Sequence, residues 1–315
     1  MKVVHGTANV ERDPNSVVTV GSFDGVHIAH REIIRETVHR ARMKEGRSVL
    51  VTFDPHPSMV VVRGKGPVSL LTTLDERIAL IRELQIDLVC VIDFSSDFAS
   101  LSSEEFYRSH VVDRIGVSEV VVGYDHMFGH GREAGVRELV GLGKRYDFSV
   151  YAAHQVRKEG ATIGSTLIRE MLGNGEVEDA AGLLGYSYRV AGTVVEGDGR
   201  GKSLGFPTAN LVPDDRDKLI PGPGVYLIGA SVGTEEFFGM LNVGRNPTMT
   251  DGERQTIEAH LFEIDRDLYG EKIQVTFLKR LRDEIRFGSK EELISQLNRD
   301  REESERLLPQ FRRKQ

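Results

Sequence analysis

Apolar and polar positions follow two different patterns along the chain, and the change falls near residue 185. In the first half, short apolar or β-branched runs alternate with stretches whose apolar residues recur three and four apart. Ser16 to Val20, Ser48 to Phe53, Asp87 to Ile92, Glu119 to Gly123 and Phe148 to Ala153 read as buried strands. Between them the spacing predicts a helix beginning near His30 (Ile33, Ile34, Val38, Ala41), a second from Leu74 to Leu84 and a third from Arg137 to Tyr146. Strands and helices in alternation predict a parallel sheet covered on both faces, with ligands gathered at the carboxyl ends of the strands. A helix running to Leu172 and a short one from Gly175 to Gly185 follow. From Tyr186 the texture becomes short β-branched runs broken by Gly, Pro and Asp: Tyr188 to Val195, Gly224 to Val232, Phe237 to Val243, Thr256 to Ile264 and Lys272 to Leu278. That spacing predicts an antiparallel sandwich or small barrel. Lys290 to Leu308 closes the chain as an amphipathic, charged helix. The expected domains are therefore residues 1–185 and 186–315.

Candidate chemistry collects at the predicted strand ends. After the first strand comes Gly21-Ser22-Phe23-Asp24-Gly25-Val26-His27-Ile28-Ala29-His30, a turn with two glycines and two histidines three apart. That spacing on an opening helical turn sets both imidazoles on one face, beside N–H groups that favour anions. Such donors suit a phosphate under attack. A zinc pair is the other use of two histidines, but no Glu follows the first and no nearby third ligand suggests itself. Phe53-Asp54-Pro55-His56-Pro57 follows the second strand and Gly123-Tyr124-Asp125-His126-Met127-Phe128-Gly129 the fourth. Further on, Ile163-Gly164-Ser165-Thr166-Leu167-Ile168-Arg169 offers Ser165 or Thr166 as a helix N-cap, with Arg169 one turn beyond. Hydroxyls, helix amides and a guanidinium form a second anion clamp.

In the second half, Gly197-Asp198-Gly199-Arg200-Gly201-Lys202-Ser203 invites a P-loop reading. It fails, because Walker A needs four residues between its first glycine and Gly-Lys-Ser, and position 196 is Glu. Nor does a helix follow, since Leu204-Gly205-Phe206-Pro207-Thr208-Ala209-Asn210 carries glycine and proline. Bare amides with Arg200 and Lys202 can still hold phosphates. Thr208 and Asn210 stand two apart, so in an extended strand they point the same way and offer hard oxygens suited to Mg²⁺. Glu258 is the one carboxylate in the largely apolar strand Ile257 to Phe262, open to solvent exposure or to a role as a base.

The bulk numbers narrow the classes. A chain of 315 residues, 39% hydrophobic and 28% charged, is an ordinary soluble globular protein long enough for two domains. Forty-eight acids against 41 bases give −7, which argues against a general nucleic-acid binder and leaves anionic substrates to local positive pockets. The one cysteine, Cys90, lies in an apolar run and reads as a small core residue; no disulfide is possible. No apolar run approaches the ~18 residues of a membrane span, and no apolar signal core opens the chain, so a cytoplasmic protein without membrane contact is expected.

Taken together, strand, Gly-x-Phe-Asp-Gly-x-His-x-x-His and helix resemble the nucleotidyltransferase superfamily, whose usual form is His-x-Gly-His; Ala29 stands where that glycine is usual. Ile163 to Arg169 resembles the superfamily's Ile-Ser-Ser-Thr-x-x-Arg, with Gly164 for the first serine. Phe53-Asp54-Pro55-His56-Pro57, Leu71-Thr72-Thr73-Leu74 and Val121-Val122-Gly123 with Phe128-Gly129 look like the FMN adenylyltransferase branch, the N-terminal half of the bacterial bifunctional FAD synthetases. Gly197 to Asn210 resembles the riboflavin kinase motif, and Asn242-Val243-Gly244, Asn246-Pro247-Thr248, Thr256-Ile257-Glu258-Ala259-His260 and Leu268-Tyr269-Gly270 follow in that family's order. The resemblance implies a Rossmann-like α/β nucleotidyltransferase domain followed by a small antiparallel β-barrel with a C-terminal helix. It implies ATP at Gly21, Phe23, Asp24, Gly25, His27, His30, Ser165, Thr166 and Arg169, and flavin at Pro57, Asp125 and Phe128. For the kinase it implies ATP at Gly197, Gly199, Arg200, Gly201 and Lys202, Mg²⁺ at Thr208 and Asn210, and Glu258 as the base for the riboflavin 5′-hydroxyl. The expected partners are riboflavin, FMN, FAD and ATP. Two alternatives stand beside this: a riboflavin kinase whose adenylyl site is weakened at Ala29 and Gly164, and a flavin sensor without turnover.

Overall fold

The computed structural model describes residues 1–61, 69–124, 135–158, 161–197, 205–245, 255–264 and 266–312. The chain divides into two compact units, Met1–Ser165 and Thr166–Gln315.

In the first unit, β1 (Lys2–His5), β2 (Val17–Val20), β3 (Ser48–Asp54), β4 (Leu88–Asp93), β5 (Glu119–Gly123) and β6 (Ser149–Ala153) form one sheet. The order is β1-β4-β3-β2-β5-β6 and every pair is parallel. Its helices are α1 (Ile28–Met43), α2 (Pro57–Val60), α3 (Leu74–Arg82), α4 (Ser96–Ala99), α5 (Ser103–Phe106) and α6 (Val136–Tyr146), with a wider-turned helix at Tyr107–Ile115. Pleating sends alternate strand residues to opposite faces, and the two cores follow that alternation. Val18, Val20, Val49, Val51 and Cys90 pack against Tyr107, Ile115 and Leu139 on one face. Leu50, Val89 and Val91 pack against Ile34, Val38 and Ile81 on the other. Cys90 is fully buried, and burial pushes its thiol up to about 12, which leaves it inert packing. The strand β1 and the helical stretch from Ser103 to Ile115 have no counterpart in the sequence reading. A short hairpin, β7 (Arg157–Lys158) with β8 (Ala161–Thr162), ends this unit.

The order matters for function. The chain passes from β2 to β3 on one side, and β5 adds on the other side of β2. A doubly wound sheet opens a crevice at such a reversal, outside the strand carboxyl ends. The stretch from Gly21 to His30 leaves β2 at that point.

The second unit carries α7 (Ser165–Gly173) from its second residue on, α8 (Val177–Leu184), and six strands: β9 (Arg189–Val195), β10 (Ala209–Pro213), β11 (Gly224–Val232), β12 (Glu235–Arg245), β13 (Gln255–Leu261) and β14 (Lys272–Arg282). They close as an antiparallel barrel in the order β10-β13-β12-β11-β14-β9, so of sandwich and barrel the chain forms the barrel. The helices α7 and α8 are fastened to it. Gly222 N donates to Leu172 O at 2.8 Å, Arg280 Nη1 to Asn174 O at 2.7 Å, and Lys279 pairs with Glu178 at 3.3 Å. The last helices, α9 (Lys290–Leu307) and α10 (Pro309–Arg312), follow the barrel strands. Leu307 and Leu308 pack with Phe206, Leu227, Met240 and Phe262, and Asp300 accepts from Arg282 through both oxygens. Among the described residues no helix is long and apolar enough to cross a membrane.

Candidate active sites

The turn after β2 is conformationally demanding. Phe23 (φ 50°), Gly25 (φ 82°) and Val26 (φ 37°) are all left-handed within four residues. For a β-branched valine that conformation persists only when its surroundings over-determine it. The surroundings are on hand. Asp24, fully buried, accepts from Leu71 N (3.1 Å), Thr72 N (2.9 Å) and Thr72 Oγ1 (3.1 Å). Gly25 N donates to Thr72 Oγ1 at 2.9 Å, and Arg31 Nε donates to Val26 O at 3.2 Å. Ser165 Oγ donates to Asp24 O at 3.0 Å. The Asp24 carboxylate thus serves the loop before α3, and places the turn rather than facing outward.

This turn delivers the histidines. His27 is itself the N-cap of α1, and its Nδ1 accepts from His30 N at 3.3 Å. The helix therefore starts at Ile28, earlier than its apolar spacing indicates, and its third free amide is taken by His27. An Nδ1 that accepts leaves the proton on Nε2. The amides of Ile28 and Ala29 find no partner among the described residues. The two rings stack with centroids 3.6 Å apart and 17° between planes, and Phe23 meets His30 edge-on at 5.2 Å. Burial first, then His27, then the Arg77 guanidinium hold His30 well below the usual histidine range. His30 is therefore neutral at pH 7. Its Nδ1 is buried without a partner.

The remaining predicted residues of the first chemistry lie on shorter elements. Pro57 is half-buried at the first turn of α2, whose N-cap His56 accepts from Ser58 N at 3.2 Å through Nδ1. Ser165 is the first helical residue of α7 rather than its cap, which frees its hydroxyl for the Asp24 carbonyl. Thr166 is exposed, and Arg169 is half-buried one turn further along α7. Gly164 has open space around its Cα, so the missing serine side chain has no steric cause. Asp125 and Phe128 lie outside the described residues. Sequence reading missed Arg77, which sits fully buried behind the turn. Its signal was an arginine on the apolar stripe Leu74, Ile78, Ile81 of α3.

The barrel places its residues differently. Glu258 on β13 lies opposite Asn210 on β10 and opposite Asn242 on β12. Directly opposed residues share a face of the sheet, with Cβ atoms roughly 4.5–5.5 Å apart. Ile257, Ala259 and Leu261 turn into the barrel, so Asn210, Glu258 and Asn242 form a polar row on its outer face. Beside that row Gly197 passes so close that a Cβ there would stand 1.8 Å from the Asn210 amide nitrogen, so any larger residue would push the Asn210 side chain aside. Thr208 is half-buried two residues before Asn210. Neighbouring His260 donates from Nδ1 to Pro207 O at 2.8 Å, and burial lowers its pKa. Glu284 was not foreseen: with Thr256 and Asn242 it crowds the position a Gly244 side chain would occupy. Gly199, Arg200, Gly201 and Lys202, like Asn246, Pro247 and Thr248, lie outside the described residues.

Comparison with known proteins finds two successive family matches. The family described as FAD synthetase matches residues 9–167, and that described as riboflavin kinase matches residues 184–308. A Listeria monocytogenes bifunctional riboflavin kinase/FMN adenylyltransferase is 35% identical over 93% of this chain and 92% of its own. The Escherichia coli protein of the same name is 35% identical over 95% and 96%. A solved Streptococcus pneumoniae structure titled a macrolide-efflux protein superposes with a TM-score of 0.86, at 31% identity, over 96% of this chain and 98% of that one. With a parallel-sheet unit matched by one family and a closed barrel matched by the other, the chain belongs to the FAD synthetase family of bifunctional riboflavin kinase/FMN adenylyltransferases.

Proposed function

We propose that the protein makes FAD from riboflavin in two ATP-dependent steps. The barrel unit phosphorylates riboflavin to FMN, and the sheet unit adenylylates FMN, releasing pyrophosphate. The observation that carries this is the serial match, residues 9–167 and then 184–308, over a parallel-sheet unit and a closed barrel. The single-activity and sensor alternatives are not favoured, since both families match and the relatives aligned over nearly the whole chain are named as bifunctional enzymes.

For adenylyl transfer, an FMN phosphate oxygen attacks the α-phosphorus of ATP, and pyrophosphate leaves. The nucleophile is already an anion, so no protein base is needed. The protein's work is to hold phosphates and meet the charge that builds on them. His27 donates from Nε2, and the amides of Ile28 and Ala29 add two more donors at the positive end of α1. A neutral His30 packs under His27 without adding a repelling charge. Ser165, Thr166 and Arg169 complete the phosphate clamp, with Gly21, Phe23, Asp24 and Gly25 shaping the turn. Pro57, Asp125 and Phe128 take the flavin.

For the kinase step, Glu258 accepts the proton of the riboflavin 5′-hydroxyl as that oxygen attacks the γ-phosphorus of ATP. Asn210 and Asn242 flank it on the outer face, and the glycine-rich segment from Gly197, with Gly199, Arg200, Gly201 and Lys202, holds the phosphates. The Thr208 hydroxyl and the Asn210 carbonyl oxygen are neutral, hard donors, and Asn210 stands beside Gly197, where that segment begins. They fit Mg²⁺, which supplies charge neutralisation on the phosphates when bound. The test is direct. Purified protein is given riboflavin, ATP and Mg²⁺, and FMN and FAD are followed by chromatography; FMN then FAD is the expected course, and formation of neither ends the proposal.

A further inference from the structure

We infer that Arg77 is a positioning residue for adenylyl transfer, tying the strained β2–α1 turn to the end of β3 and so setting where His27 and His30 stand. The inference rests on the assignment of adenylyl transfer to the His27–His30 turn. Helical spacing puts Arg77 on the same stripe of α3 as Leu74, Ile78 and Ile81, a place for an apolar side chain. It is fully buried nonetheless. A buried guanidinium is costly unless its hydrogen bonds and charge partners are in place.

Its bonds are concentrated at one end. Nη1 lies 3.0 Å from each of Ser22 O, Thr52 Oγ1 and Phe53 O. Thr52 Oγ1 in turn donates to Ser22 O at 3.1 Å. The Ser22 carbonyl, one residue before the left-handed Phe23, is thus held from β3 and α3 together. Asp24 and Asp54 raise the Arg77 pKa against the larger lowering by burial. Among the described residues its buried Nε and Nη2 have no hydrogen-bond partner. A side chain that only filled space would be apolar here; one kept charged and half-satisfied is retained for what it holds.

The same charge acts on His30. The titratable groups facing that ring are His27 from the cap of α1 and Arg77 from α3, and both oppose its protonation. Asp24 and Asp54 are the acids that act on Arg77 from the turn and from β3. Loss of the guanidinium therefore loosens the turn and removes a positive charge that, beside burial and His27, keeps His30 neutral.

The experiment uses the full-length chain with Arg77→Met, Arg77→Lys and Thr52→Val. FAD formation from supplied FMN and ATP, FMN formation from riboflavin, and the His30 imidazole titration by NMR are measured on each. Arg77→Met should lower kcat for FAD about 10- to 100-fold, as for a misplaced catalytic group, with FMN formation unchanged. Its His30 titration should move up toward the usual range. Arg77→Lys keeps the charge and should recover most of both. Thr52→Val removes two hydrogen bonds, from Arg77 and to Ser22 O, and no charge, so FAD kcat should fall a few-fold while the His30 titration stays. A folded Arg77→Met protein with parental FAD turnover, or with an unmoved His30 titration, overturns the inference. If that variant does not fold, parental FAD turnover in Thr52→Val overturns it. A parent protein that makes no FAD from FMN and ATP sinks the adenylyl assignment instead, and the His30 titration still reports on Arg77.

Discussion

The sheet site and the barrel site, to which we assign the same task of holding phosphates for transfer, are built by opposite means. In the sheet unit the site is a turn, bent into left-handed conformations and held by buried polar side chains from distant segments: Asp24 to Leu71 and Thr72, Arg77 to Ser22 and Phe53. In the barrel the base we propose, Glu258, lies on a regular strand, and the register alone sets Asn210, Glu258 and Asn242 side by side. A turn needs scaffolding outside itself; a ladder supplies its own. The first site should therefore be sensitive to substitutions well behind it, as at Arg77, and the second mainly to those in the row.

The sharpest way to break this comparison is at Glu258. Glu258→Gln keeps the shape and removes the base, so riboflavin phosphorylation should fall by about 10² to 10⁴. FAD formation from supplied FMN should stay near the parent rate in the same variant, as measured by chromatography. Normal phosphorylation would return Glu258 to the surface of a strand. At the turn, His27→Ala removes both the donor and the helix cap. FAD formation should fall by about 10² to 10³, and thermal stability by about 1 kcal/mol, the usual worth of a cap. A matching loss of FMN formation would mean that the two sites are not independent.

Smaller effects sharpen the picture. We expect the kinase chemistry to reside in residues 186–315, while α7 and α8 pack on the barrel through Gly222, Arg280 and Lys279. Fragments 166–315 and 186–315 should both make FMN. The shorter should melt earlier, by roughly 1–3 kcal/mol for the few hydrogen bonds and the apolar burial that α7 and α8 provide. Equal melting would show that the two helices do nothing to hold the barrel. The subtlest effect is on pH. Folded His30 titrates below its unfolded value, so as pH falls through the usual histidine range the unfolded chain gains a proton that the folded one refuses. Stability should drop on acidification from about pH 7.5 to about 5.5, either side of the ordinary histidine pKa, and less steeply in His30→Gln. His110 and His260, lowered by burial as well, contribute to both proteins and cancel in that difference.

Much of this was legible in the residues. Every strand proposed for the sheet is present, as are the helices at α1, α3 and α6, because a buried parallel sheet writes itself as continuous apolar runs. What escaped had weak local signals. The edge strand β1 is only four residues long, and β10 runs Ala-Asn-Leu-Val-Pro, a sequence that becomes a strand only because β9 and β13 close on it. Arg77 stands out in no motif, since nothing near it in the sequence says that the stripe around it meets a carbonyl-rich turn.

Periodicity, then, was enough for the parallel sheet and for an antiparallel second half, sandwich or barrel, while the two chemistries were legible through the resemblance of the motifs to known families. Periodicity and motifs are short-range properties, carried by residues a few positions apart. The protonation of His30, the neighbours of Glu258 and the burden on Arg77 came only with the folded chain. Each depends on segments far apart in the sequence meeting at one point: Ser22 with Arg77, Asn210 with Glu258, Asp24 with Thr72. Desolvation and charge act through space, and the sequence alone does not say which groups will share it.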